Sequence, residues 1–307
     1  MGSAKSPEQP TTRADFDTYL SERAALIESF MEQSVPEETT PPETISRAVR
    51  YSLLAGGKRL RPILVLAGAE AVGGQIEDAL PAAAALEMIH TYSLIHDDLP
   101  AMDDDSLRRG KPTSHVVFGD AIAILAGDAL QAHAFRLLSR PRSGVSSERC
   151  LRALHLLADA AGAAGMVGGQ VADLEAEGNA IDGAALEFIH RHKTGALLRA
   201  SVEIGAIIGG GHDAQIESLA RYGAHIGLAF QIIDDILDVT GTAESLGKSA
   251  GKDERAGKAT YPQIHGMDNA KQKARTLVND ALSELTELGS EALPLASIAE
   301  RILDRSS

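Results

Sequence analysis

The chain has 307 residues, 44% hydrophobic and 23% charged, a composition that supports a large core and excludes a disordered or fibrous chain. Lysine and arginine total 29 against 43 aspartates and glutamates, giving a net charge of −14; so acidic a chain is repelled by nucleic acid and anionic membrane surfaces. A single cysteine, Cys150, excludes an intramolecular disulfide and a cysteine metal cluster, and implies a reduced, cytoplasmic setting.

The N-terminal stretch MGSAKSPEQPTT lacks the apolar segment of a secretory signal, and residues 1–14 read as a flexible arm. From Asp15 to Gln33, Phe16, Tyr19, Leu20, Ala24, Ile27, Phe30 and Met31 recur at helical spacing. Pro36 and the Thr39-Thr40-Pro41-Pro42 cluster break this pattern, and Pro42 suits the first turn of a helix running through Leu53 to Gly56-Gly57. Further helices are expected over Leu60–Val72, Glu77–Ile95, Asp120–Leu138, Ser147–Gly165, Gly183–Ile208, Ala214–Val239, Asn269–Leu288 and Leu295–Leu303. Gly223, Gly227 and many alanines inside these helices suit close helix-to-helix approach.

No alternating strand pattern of useful length occurs. Gly73-Gly74 and Gly168-Gly169 follow no strand and so are not dinucleotide loops. Uninterrupted apolar runs fall short of the roughly eighteen residues needed to span a bilayer, so no membrane span is expected. With no linker composition, the expectation is one all-α domain over residues 1–307, of about ten helices.

Two acidic clusters stand out in this helical pattern. The first is His96-Asp97-Asp98-Leu99-Pro100-Ala101-Met102-Asp103-Asp104-Asp105, and the second is Gln231-Ile232-Ile233-Asp234-Asp235-Ile236-Leu237-Asp238. Asp234 and Asp238 share a helical face, with Gln231 about one turn earlier, amid apolar residues. Buried unpaired carboxylates are costly, and a hard divalent cation with oxygen ligands would relieve them. Asp97 and Asp103 converge only if the helix ends near Asp98 and the chain turns back at Pro100. Taken singly, each cluster is equally a solvated loop or the exposed face of a helix.

Cations accompany the acids. Lys58 and Arg61 are three apart, which would place them on one helical face, and Arg108-Arg109-Gly110-Lys111 directly follows the first acidic run. Arg191-His192-Lys193-Thr194 adds a cation and a hydroxyl. The Gly-rich basic stretch from Gly247 to Lys258 suits a lid.

With its paired acidic motifs and intervening Lys and Arg motifs, the chain resembles the trans-type isoprenyl diphosphate synthases, most nearly the bacterial farnesyl diphosphate synthases. The matching stretches are GGKRLRP, EMIHTYSLIHDDLPAMDDDSLRRGKPTSH, GGQVADL, HKTGALLRAS, FQIIDDILD and GKDERAGKATYP, between residues 56 and 262. The resemblance implies an all-α barrel around a central cavity, usually homodimeric. It also implies magnesium, about three ions per site, bound by Asp97, Asp103 and Asp234 with Asp98, Asp235 and Asp238 in support. Arg108, Lys193, Thr194, Gln231, Lys248 and Lys258 would contact the allylic diphosphate. Lys58, Arg61, His90 and Arg109 would hold isopentenyl diphosphate, and Gly57 would allow close backbone approach. Asp97, Asp103, Lys193 and Asp234 would carry the catalysis. His90 and His96 are expected to bind or to pack, and Gln170 and Asp173 to face the cavity in roles that the sequence does not define.

The implied reaction condenses isopentenyl diphosphate head-to-tail with dimethylallyl or geranyl diphosphate, giving farnesyl diphosphate and diphosphate. Product length would be set about 7.5 Å up the helix from Asp97, at Tyr92 and Ser93. In the resembling family an aromatic residue there stops growth at the farnesyl length. Geranylgeranyl diphosphate synthesis is the alternative; less favoured is a non-catalytic regulatory subunit of another synthase, because both aspartate motifs are intact.

Overall fold

A computed structural model of the chain describes residues 13–240 and 259–304. Apart from Arg13 and Ala14, the expected arm lies outside the described residues, as do Lys248 and Lys258. The architecture is all-α, as expected. In chain order the helices are α1 (Arg13–Ser34), α2 (Glu43–Leu53), α3 (Leu60–Glu70), α4 (Ile76–Asp97), α5 (Ser114–Phe118), α6 (Asp120–Leu138), α7 (Ser147–Ala161) and α8 (Met166–Ala176). There follow α9 (Gly183–Ile189), a π-helical turn (His190–Gly195), α10 (Ala196–Gly209), α11 (Asp213–Thr240), α12 (Tyr261–His265), α13 (Met267–Glu284), a 3₁₀ segment (Thr286–Ala292) and α14 (Leu293–Asp304).

α3, α4 and α10 form the centre. Ile63 through Ala69 of α3 are buried all round, because α4 and α10 cover different faces. The α3–α10 contact rests on Gly68 and Gly205: a methyl on Gly68 would crowd the Val202 carbonyl carbon (3.2 Å), and one on Gly205 would collide with the Val65 carbonyl oxygen. Gly223 and Gly227 act similarly between α11 and the chain at Arg199 and Gly195, where a methyl would come within 2.7 and 3.0 Å of the facing Cα atoms. α1 caps this core with Phe16, Tyr19, Ile27 and Met31. It is tied down by Glu70, which accepts from the Tyr19 hydroxyl at 2.6 Å and from Arg23 at 2.7 Å.

The expected boundaries differ in instructive places. The helix expected over Ser147–Gly165 ends at Ala161, and the turn around Gly162 and Gly165 starts α8 on a new axis. Pro42 caps α2 from outside in extended conformation rather than entering its first turn. A minute antiparallel hairpin, β1 (Leu107–Arg108) with β2 (Lys111–Pro112), was not expected; positive φ at Arg109 and Gly110 forms its two-residue turn.

By length and composition, α6 and the segment Ser147–Ala176 reach the threshold for a membrane-crossing helix, with mean hydropathy 1.3. Neither segment is an uninterrupted apolar run; alanine, leucine and isoleucine raise the average across scattered polar residues. The second segment is two helices, and 39% of each window is buried inside the fold.

Candidate active site

The first aspartate motif turns as its spacing requires. α4 ends at Asp97, and the Asp103 amide donates back to the Asp97 carbonyl at 2.9 Å while Met102 donates to Leu99 at 2.9 Å. Asp104 then takes a left-handed φ of 50°. Asp97 is half-buried, and burial holds its carboxyl above the usual range. Lys193 opposes that rise, while Asp103 and Asp98 add to it.

Asp98 is buried, and both of its oxygens accept from the Arg108 guanidinium at 2.6–2.9 Å. Burial raises its carboxyl despite that partner. The hairpin sends the next residue, Arg109, elsewhere: its guanidinium lies over Gly57, leaving no room for a side chain at that position. Gly57, with φ 133°, therefore serves an arginine's approach in this structure.

Three side-chain hydrogen bonds, joined by the backbone of α8 and of the π-helical turn, span the distance between the two aspartate motifs. Gln170 of α8 donates to Asp97 at 2.7 Å. One turn along α8, Asp173 accepts from Lys193 at 2.6 Å. Thr194, beside Lys193, donates to Gln231 of α11 at 3.0 Å. Gln231 lies one turn before Asp234 and Asp235. The π-helical turn carries Lys193 and Thr194, inserting an irregular turn into an otherwise continuous helix. α8 sits against this turn so closely that a methyl on Gly169 would lie 2.6 Å from the Lys193 Cα.

Asp234 is half-buried and faces Arg61 electrostatically. Asp235 accepts from the Tyr261 amide at 2.7 Å and lies 3.4 Å from His190, whose buried imidazole is lowered to about 4. Asp238 is half-buried near the end of α11.

Lys58 is exposed and Arg61 half-buried; they do not share a helical face, because Arg59 between them is left-handed (φ 49°) and α3 begins only at Leu60. Arg61 Nε is sealed from solvent and has no acceptor among the described residues. Burial lowers Arg61, and Glu87 and Asp234 oppose that shift. Burial, then Arg61, Arg109, Arg108 and Arg59, hold His90 well below the usual imidazole range, so at neutral pH it is an uncharged hydrogen-bonding group. Tyr92 is buried and Ser93 folds its hydroxyl back onto the His90 carbonyl at 2.8 Å. An open cleft lies along a different strip of α4, the Thr91–Leu94–Asp98 side, between Tyr51, Arg108 and Arg109.

Arg59 and Glu87 carry a role that no motif in the sequence announces. Arg59 bonds to buried Glu87 at 2.6 Å and to the Leu53 carbonyl at 3.0 Å, fixing the loop that presents Lys58 and Arg61. A lone acid in the otherwise apolar stretch Ala82–Ile89 was the available signal.

Residues 42–292 match the family described as polyprenyl synthetase. The chain belongs to the polyprenyl synthetase family. Its activity class is prenyl transfer with isoprenoid diphosphate substrates. A dimethylallyltranstransferase of Fischerella ambigua (strain UTEX 1903) is 51% identical over 96% of this chain and 86% of that protein. A geranylgeranyl diphosphate synthase of Cyanophora paradoxa is 48% identical, covering 94% of this chain and 96% of its own. Among solved structures, an FPP/GFPP synthase from Zymomonas mobilis in its apo form superposes with a TM-score of 0.86 at 40% identity, over 95% of this chain and all of that one. The geometry of this polyprenyl synthetase thus places two carboxylate motifs and a group of arginines on one connected framework.

Proposed function

We propose that this polyprenyl synthetase is a magnesium-dependent farnesyl diphosphate synthase, condensing isopentenyl diphosphate with dimethylallyl and then geranyl diphosphate. The observation that supports this reading is the set of bonds Gln170–Asp97, Lys193–Asp173 and Thr194–Gln231, which join α4, α8, the π-helical turn and α11 on the side that carries both aspartate motifs. The donors suit magnesium: hard carboxylate oxygens, with burial and neighbouring acids holding Asp97 in need of a cation. Among the described residues no three His, Cys, Asp or Glu side chains close into a cage. Asp97, Asp103 and Asp234 would instead each lend oxygens, the shell being completed by water and diphosphate. Bound there, magnesium supplies charge neutralisation of the leaving diphosphate.

Lys193 and Arg108 hold and orient the allylic diphosphate as its C–O bond breaks and the electron pair stays on oxygen. Arg61, Arg109, Lys58 and neutral His90 position isopentenyl diphosphate so that its double bond attacks the allylic carbon. A proton is then lost to the departing diphosphate, so no histidine base is required. Tyr92 closes the path of the growing chain and supports the farnesyl product. Geranylgeranyl diphosphate is the second reading, because relatives about half identical carry that name.

A second copy of the chain is proposed against the α5–α6 face, where Val116, Val117, Ile124 and Leu125 are 43–53% exposed. The enzyme is proposed to work in the cytoplasm.

The test incubates the folded protein with labelled isopentenyl diphosphate, dimethylallyl or geranyl diphosphate and magnesium, and separates the products. Farnesyl diphosphate is expected, lost on chelation and in Asp97→Ala and Asp234→Ala. Absence of any prenyl product from folded protein would refute the reading, and a twenty-carbon product would select the second.

A further inference from the structure

α6 runs along the side of α4 that carries Tyr92. Tyr92 and His96 are one turn apart, and their rings meet edge-on, with centroids 5.7 Å apart and planes at 75°. The His96 ring is seated on α6. Its Nε2 lies 3.1 Å from the Ile124 carbonyl, and the ring occupies the place where a side chain at residue 127 would stand. A methyl on Gly127 would collide with Nε2, lie 2.7 Å from Cδ2 and 3.0 Å from Cε1. The buried Tyr92 hydroxyl has no hydrogen-bond partner among the described residues, and Gln131, one turn beyond Gly127, only partly offsets the upward push of burial on the phenol. Residues 124, 127 and 131 follow the three- and four-residue spacing of one helical face, so α6 presents a continuous seat to this pair.

We propose that Gly127 and His96 are positioning residues for product length: the missing side chain at Gly127 admits the His96 ring, and that ring wedges Tyr92 across the path of the growing chain. This rests on the reading of Tyr92 as the stop. The wedge works through shape. The edge of Tyr92 is held against a ring that is itself fixed at the Ile124 carbonyl and flanked by the Gly127 backbone. Removing the ring, or displacing it with a methyl at residue 127, leaves volume into which Tyr92 turns, and the path deepens. His96 lies beside Asp97 in sequence, so loss of rate alone would not separate a positioning role from damage to the metal site. The ratio of long to short product does separate them, because it compares two fates of the same enzyme-bound intermediate.

The experiment compares wild type, Tyr92→Ala, His96→Ala, Gly127→Ala and Gly127→Ala/His96→Ala, using magnesium, isopentenyl diphosphate and geranyl diphosphate, with products resolved by chain length. Tyr92→Ala is expected to lengthen the product. His96→Ala and Gly127→Ala are expected to raise the ratio of twenty-carbon to fifteen-carbon product about two- to tenfold, the span for loss of one edge-on aromatic contact. The double variant should match His96→Ala, since the added methyl collides only with the ring. Should Gly127→Ala fail to fold, His96→Ala carries the test, because it opens space rather than filling it. Lengthening in Tyr92→Ala with wild-type ratios in both other variants would overturn the wedge and leave the Tyr92 reading standing. No change in Tyr92→Ala would overturn both.

Discussion

The loop that presents Lys58 and Arg61 depends on a buried ion pair. Arg59 and Glu87 meet at 2.6 Å with side chains 1% and 3% exposed, so water can replace neither partner. Replacing Arg59 with methionine preserves bulk but leaves the Glu87 carboxylate buried with only the more distant Arg61 and Arg109. A unit-charge pair about 4 Å apart is worth about 4 kcal/mol at an effective dielectric of about 20. The Leu53 carbonyl also loses its donor at 3.0 Å, whereas the 3.4 Å contact to half-exposed Glu28 adds little. The expected loss for Arg59→Met is about 3–5 kcal/mol. The double variant Arg59→Met/Glu87→Met removes both charges together and should recover at least half of that loss, since apolar replacements of buried ion pairs are often near neutral. Urea unfolding of wild type, both single variants and the double variant measures the coupling directly. A loss below about 1 kcal/mol for Arg59→Met, or strictly additive losses, would refute the assignment of Arg59–Glu87 as the clamp of this loop.

Asp97→Asn should abolish turnover yet stabilise the metal-free protein at neutral pH, because folding raises the Asp97 pKa and so disfavours its charge. The gain should shrink as pH falls through that pKa, which thermal melts in chelator across pH 4–8 would detect; a destabilised variant at pH 7 would contradict it. For His90 the sign reverses: its folded pKa lies well below 6.5, so the unfolded chain takes up protons first and stability falls as pH drops below about 6.5. His90→Asn should flatten that acid limb in denaturant titrations and raise the KM for isopentenyl diphosphate; a limb of unchanged slope would refute it. Gly169→Ala should cost about 1–3 kcal/mol through crowding at the Lys193 Cα and lower kcat, since α8 must back away from the π-helical turn. Wild-type kcat with a wild-type melting temperature would refute the claimed close approach.

Long elements and the acid–base motifs were legible because their signals are local. The return of Asp103 towards Asp97 followed from a helix-compatible Asp97 and a proline three residues on, and the backbone does close there. The hairpin at Leu107–Pro112 escaped because two-residue strands leave no alternation to read, and the turn at Arg109–Gly110 needs a left-handed arginine that nothing local announces. The same hidden conformation at Arg59 defeated the inference that Lys58 and Arg61 share a face. The π-helical turn at His190–Gly195 is invisible to a 3.6-residue pattern, since six residues are too few to shift its phase. Asp173 and Gln170 were visible as polar residues three apart, but their partners Lys193 and Asp97 are tertiary neighbours from other helices.

The net charge of −14 and the binding of anionic substrates are reconciled by distance. At physiological ionic strength, fields from exposed acids fade over about 8 Å, so the overall sign matters less than the nearest groups. At His90 the nearest groups are cationic: Arg61, Arg109, Arg108 and Arg59 all push its imidazole towards the neutral form. Three nearby acids are already paired with their own cations. Asp98 is fully engaged by Arg108, Asp173 by Lys193 and Glu87 by Arg59, each at 2.6 Å. Among the described residues, Arg61 has no such close partner at its buried Nε. The arrangement therefore separates two duties that net charge merges: Arg59 shapes the loop from within its buried pair with Glu87, and Arg61 keeps a donor for an incoming anion.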